Sequence, residues 1–219
     1  MRLTDEAIGS THTESVSWEL VNTLVDCAPR MAGHEGEQAA IEAMAEQFRE
    51  LGLDDVTVEE FEVPAWHRGH SELRVPNSDR TYSGSHELIG LPLTPPGTGS
   101  GPIVDVGHGT PEEYDEVDVE GALVVASGGT PDSYDRWLHR REKYEMAAER
   151  GAVGFLFRSR MEGCLPPTGG IGGASPPGDI PGVGVSRELA DKLTRRSIAE
   201  AELVVECETA RQPSGNVAA

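Results

Sequence analysis

Residues 119–129 read VEGALVVASGG, and their texture decides the fold. Ala122 to Ala126 is a short unbroken apolar run that ends in glycines. Such a run, bounded by turn residues, reads as a buried strand. Downstream, residues 133–150 read as a helix capped by Asp132 or Ser133, and GAVGFLF (151–157) as a second buried strand. Gly151 stands where a helix end wants positive φ. Residues 163–182, GCLPPTGGIGGASPPGDIPG, read as a long loop, and within it GGIGGASPPG (169–178) reads as flexible surface. VGVS, the short helix RELADKLTRR and the strand AELVVEC (201–207) follow. Strand, helix, strand, loop, strand, helix, strand implies a mixed α/β sheet.

Upstream of that stretch, ELRV (72–75), HELIG (86–90) and PIVDVG (102–107) are short strand candidates between Pro- and Gly-rich turns. The texture changes at Trp66. Before it, DVTVEEFEV (55–63) reads as a strand whose apolar parity switches between Val58 and Phe61. Either a bulge at Glu59-Glu60 or a start at Glu59 reconciles the two. A helix is expected from Gly36 to Leu51, with Ile41, Met44, Phe48 and Leu51 on one side and Gly52 as the residue after its cap. Another runs from a capping box at Thr11–Glu14 to Cys27, with Trp18, Val21, Leu24 and Val25 on one face.

The formal charge of -20, from 38 acidic and 18 basic residues, opposes binding to nucleic acid or to an anionic membrane surface. Only Lys143 and Lys192 are lysines. An acidic, lysine-poor surface suits a salt-saturated cytoplasm, where a Debye length of about 3 Å screens self-repulsion. The sequence therefore points to the cytoplasm of a halophile; it lacks a basic and apolar leader, and secretion by another route stays open. No stretch approaches the roughly 20 apolar residues of a membrane span. Cys27, Cys164 and Cys207 form no CxxC pair and read as buried free thiols.

Three blocks carry a resemblance. VEGALVVASGG, then KYEMAAERGAVGFLF (143–157), then DIPGVGVSRELADKL (179–193) resembles the protease-associated (PA) domain. The matching residues are Glu120-Gly121 with Val124 and Val125, Ala147 with Gly151-Ala152, and Ile180-Pro181 with Val183. Residues 17–63, with Pro29-Arg30 and Leu51-Gly52-Leu53, resemble the N-terminal segment of M28-family zinc aminopeptidases, in which a PA domain is often inserted. PSGNVAA (213–219) is similar to the strand that re-enters their catalytic domain.

The resemblance implies a PA-type β-sandwich or open barrel flanked by helices, with an N-terminal helical arm and strand. It implies three parts: residues 1–64 as the arm, 65–210 as the PA domain, and 211–219 as the start of a catalytic domain outside these residues. The end of the chain reads as cut. The family's metal ligands, beginning with an H-x-D element, follow that last strand, and this sequence holds no H-x-D. The resemblance thus implies zinc, two ions, in the parent enzyme and none bound here, with this chain alone inactive and shaping access for a peptide substrate. The arm's apolar face implies a homodimer. The alternatives are a free-standing PA-type interaction module and an independent small hydrolase.

Local candidates are few. His67 and His70, at i and i+3, could share a metal, but a strand-and-turn region gives that spacing by chance. His108 and Asp105 fit a solvated edge. GGIGGASPPG (169–178) imitates a phosphate cradle without its Lys, and Ser175 stands at the third Gly position. Ser127 and Ser133 lack a base, and Cys164 is the most exposed thiol candidate. Arg136, Arg140 and Arg141 are candidates for a substrate carboxylate, because in some relatives an Arg near this helix reaches toward the peptide; otherwise they form a solvated face paired with Glu142 and Glu145.

Overall fold

The computed structural model describes residues 4–13, 15–172 and 179–219. The fold is mixed α/β, and the chain divides into two compact units, residues 1–65 with 210–219 and residues 66–209.

The larger unit is built around the opening stretch. A five-stranded sheet runs β3 (Leu88–Gly90), β8 (Gly182–Val185), β7 (Gly154–Arg158), β6 (Leu123–Ser127), β5 (Ile103–Asp105). All neighbours are parallel except β3 with β8. Side chains alternate across a strand. Leu123, Val125 and Leu156 therefore enter one core cluster, with Val183, Val185 and Leu203. Val124, Ala126, Phe155 and Phe157 enter a second cluster on the opposite face. Both faces are covered, so β6 carries no polar alternation until Ser127.

The first cluster is closed by a second sheet, in the order β2 (Arg80–Tyr82), β1 (Thr57–Val75), β9 (Ala201–Ala218), β4 (Gly97–Gly101), and by α6 (Arg187–Thr194). The second is closed by α4 (Pro111–Asp115) and α5 (Arg140–Glu149), whose Tyr114, Tyr144 and Ala147 are buried. The α5 end behaves as read: Gly151 has φ 79°, its N–H donates to Ala148 O at 3.0 Å, and Ala152 N–H donates to Ala147 O at 3.1 Å.

Several boundaries differ from the sequence reading. β1 is one 19-residue strand, with no break at Trp66. Gly69 permits this, because a Cβ there would stand 2.6 Å from Glu206 O on β9. Residues 57–62 of β1 are all exposed, so the parity switch there picks no face. β9 continues eleven residues past Cys207, to Ala218. α5 begins at Arg140, not near Ser133. Its cap is His139, whose Nδ1 accepts from Arg141 N–H at 3.2 Å while Glu142 accepts from His139 N–H at 3.0 Å. Leu138 N–H donates to Thr130 Oγ1, which folds residues 130–138 into a loop.

The smaller unit holds α1 (Asp5–Thr13), α2 (Val16–Asp26), α3 (Glu35–Glu50) and the outer parts of β1 and β9. α3 ends as expected. Gly52 has φ 73°, and Leu53 N–H donates to Phe48 O. The expected capping box fails: Thr11 and Thr13 belong to α1, and Glu14 lies outside the described residues. α2 starts after Ser15, whose hydroxyl is spent on Glu19 rather than on a backbone N–H.

Candidate functional site

The site region lies at the C-terminal ends of β6 and β7, where parallel strands leave backbone and loops open to a ligand. Ser127 and Gly129 follow β6, Arg158, Ser159 and Arg160 close β7, and Arg187 begins α6; together with His108 they line a cleft of about 490 Å³. Arg158 pairs with Asp105 at 3.1 Å and Arg187 with Glu162 at 3.3 Å. The Arg160 guanidinium stands 5.7 Å from the Trp137 ring centroid.

Lys143 is fully buried, on the inner face of α5. Its Nζ donates to Ser127 O at 2.7 Å and to Gly129 O at 2.5 Å, and its own carbonyl accepts from the Tyr114 hydroxyl at 2.7 Å. Burial pulls the ammonium down to about 8, while the neighbouring Glu113 works the other way. Tyr144 is pushed up to about 12 by burial, and its hydroxyl both donates to Ile180 O and accepts from Ile180 N–H. The sequence reading passed over Lys143; a lysine next to Tyr144 and four residues before Ala147, on an apolar helix face, was the available signal.

The three arginines do not act as one cluster. Arg136 grips Glu142 with both terminal nitrogens, at 3.0 and 2.5 Å, and holds that carboxyl below its ordinary range. Arg141 bonds Glu145 at 2.7 Å. Arg140 faces elsewhere. Its guanidinium lies 6.0 Å from the Phe157 ring centroid and against Gly169, where any Cβ would collide with it.

The remaining candidates separate. His67 and His70 are three apart on a strand, hence on opposite faces; His70 Nε2 is 3.5 Å from Glu72. His108 is 3.4 Å from Glu113, and Asp105 accepts from Gly107 N–H. Ser127 Oγ accepts from Gly129 N–H. Cys164 is exposed and the other two thiols are partly exposed, which corrects the expectation of buried thiols. In the described part of the expected flexible stretch, Ile171 is fully buried in the second cluster, its N–H on Pro92 O; earlier in the same loop, Glu188 accepts from Gly163 and Cys164 N–H. Residues 173–178 of the cradle-like stretch, Ser175 among them, lie outside the described residues. Among the described residues no three His, Cys, Asp or Glu side chains converge as a metal site, and no helix is long and apolar enough to cross a membrane.

The family model of the PA domain matches residues 97–193, from β4 through most of α6. This segment is a PA domain. No curated protein matches the sequence. Among solved structures, the chain is similar to an aminopeptidase from Aneurinibacillus sp. strain AM-1, with 22% identity and TM-score 0.65, over 92% of this chain and 47% of that one. It is similar to BSAP, a zinc aminopeptidase from Bacillus subtilis, with 24% identity and TM-score 0.67, over 92% and 45%. A peptidase M28 precursor from Shewanella amazonensis SB2B matches with 21% identity and TM-score 0.61, over 95% and 51%. The likeness extends beyond the PA domain, and the chain spans about half the length of these proteins.

Proposed function

We propose that this chain is the non-catalytic portion of an M28-type zinc aminopeptidase, and that it shapes substrate access to a peptidase site located in sequence outside these 219 residues. The observation that carries this reading is the shared fold over 92% of the chain with proteins named as aminopeptidases, arm included. In the whole enzyme, zinc supplies the Lewis acid that polarises the scissile carbonyl and activates water. The PA domain contributes a wall and a recognition surface. In this reading Arg140 is the arginine that meets a substrate carboxylate; the engagement of Arg136 with Glu142 and of Arg141 with Glu145 supports that choice. The acidic, lysine-poor composition supports a working place in a salt-rich cytoplasm.

The test is zinc content by mass spectrometry, with hydrolysis of a chromogenic aminoacyl anilide by the 219-residue chain and by a longer polypeptide that contains it. The expected result is no stoichiometric zinc and no turnover for the short chain, and both for the long one. Turnover by the short chain would falsify the division of labour. In the active form, Arg140→Gln is expected to raise KM with kcat little changed.

A further inference from the structure

We propose that a second pocket of the larger unit binds a small organic carboxylate with an apolar body. The pocket has a volume of about 200 Å³ and sits between β2 and the end of α6, away from the β6 and β7 termini. Its floor is apolar, formed by Val75, Tyr82, Leu193 and Ile198. Its rim carries Arg80, Lys192 and Arg196, and among the described residues no carboxylate belongs to the lining.

Three cations together are unexpected in a chain with 38 acidic and 18 basic residues. The helix C-terminus accounts for Lys192 and Arg196, because cations are stabilised at its negative end. It does not account for Arg80, which β2 brings in from a different part of the sequence. Among the described residues none of the three forms an ion pair with Asp or Glu; Lys192 lies 5.4 Å from the Tyr82 ring centroid. The contrast is with Arg158 and Arg187 in the other cleft, each of which is matched by a carboxylate. Three uncompensated like charges repel one another, and a bound anion relieves that repulsion.

The size of the pocket limits the occupant. Drug-sized ligands use roughly 300–1,000 Å³. A volume of about 200 Å³ fits one short aliphatic group with its carboxylate between the guanidinium groups. The same chemistry has two sources, a free branched-chain organic acid or the C-terminal residue of a peptide.

The test is calorimetric titration of the whole chain with 4-methylpentanoate, with its amide, and with a tripeptide ending in a free leucine carboxylate. Saturable binding of the free acid, about tenfold weaker for the amide, is expected. Binding should weaken between about 0.1 M and about 1 M salt. Arg80→Gln and Arg196→Gln are each expected to weaken binding about tenfold. Arg195→Gln makes the same charge change at a side chain already bonded to Asp191 O at 2.8 Å, and is expected to leave affinity within about twofold. Binding of the free acid alone assigns the pocket to small organic acids; binding of the tripeptide as well assigns it to peptide C-termini. No saturable binding of either acid, equal binding of acid and amide, or an equal loss in Arg195→Gln and Arg196→Gln overturns the proposal.

Discussion

The two units put similar amino acids to opposite use. In residues 66–209 the large apolar side chains of β6, β7 and β8 sit at 0–6% exposure in two clusters. In residues 1–65 and 210–219 the buried residues among those described are small: Ala45, Ala65 and Ser214. Large ones such as Ile41, Met44 and Phe48 are only partly buried, and Trp18 at 68% and Val25 at 60% face outward. A sheet covered on both faces makes its own interior; three helices and two strand ends do not. The larger unit is therefore expected to carry most of the chain's stability, and the smaller one to depend on something it docks against.

The sharpest way to break this contrast is a matched pair of truncations. Phe155→Ala, at 0% exposure between Tyr144 and Phe157, is expected to cost about 4 kcal/mol. Phe48→Ala, only partly buried on α3 beside an open groove, is expected to cost about 2 kcal/mol, since part of its surface stays in water and no closed cavity is left behind. Urea denaturation followed by hydrogen exchange reads both. Equal losses would mean that the arm has a core of its own.

Next in size is Lys143→Met, at about 2 kcal/mol, because it leaves Ser127 O and Gly129 O without this donor. Its pH dependence has a definite sign. The folded-state value is about 8, below the roughly 10.4 of an unfolded lysine. Between the two the unfolded chain holds more protons, so this residue makes stability rise with pH from about 8 upward. The wild-type chain should show that rise relative to the variant in thermal melts; a fall would mean that the two carbonyl acceptors outweigh burial.

Smaller again is a comparison of the two helix ends that share one motif. Gly151→Ala and Gly52→Ala each force a side chain to positive φ, at about 1 kcal/mol. At Gly52 the new Cβ meets open space, whereas at Gly151 it lies 3.3 Å from Glu120 Cγ. Gly151→Ala should therefore lower Tm somewhat more. The reverse order would make the turn after α3 the tighter of the two.

What the sequence disclosed follows the range of the physics involved. Gly151, Gly52 and the run from Ala122 to Ala126 were readable because helix ends and doubly covered strands are set by near neighbours. The start of α5 was not, since Asp132 and Ser133 cap well in isolation, while the actual cap needs His139, Glu142 and Thr130 together. The length of β1 depends on how closely β9 passes Gly69. Ile171 is anchored by Pro92, far away in sequence, so its segment read as free loop. At the site, the arginine trio was legible as a cluster but not as Arg136 and Arg141 committed to Glu142 and Glu145 with Arg140 turned toward Phe157 and Gly169. The pocket of Arg80, Lys192 and Arg196 had no local signature, because β2 and α6 are more than a hundred residues apart.

The mildest substitution bears on what covers the arm. Trp18, Val21 and Val25 stand three and four residues apart on α2 and are 68%, 45% and 60% exposed. An open groove of about 420 Å³ in the same unit is lined by Ile41, Met44, Phe48 and Val217. Solvated apolar surface of this kind favours association. In the isolated chain a second copy is the nearest partner, and a two-fold arrangement would bury the same face on both. Trp18→Ser removes the largest exposed ring without touching a buried group, so stability should stay within about 0.5 kcal/mol of wild type. Sedimentation velocity should nonetheless shift from dimer toward monomer. A wild-type chain that sediments as a monomer at every concentration tested would remove self-association and leave the arm's face to a different body.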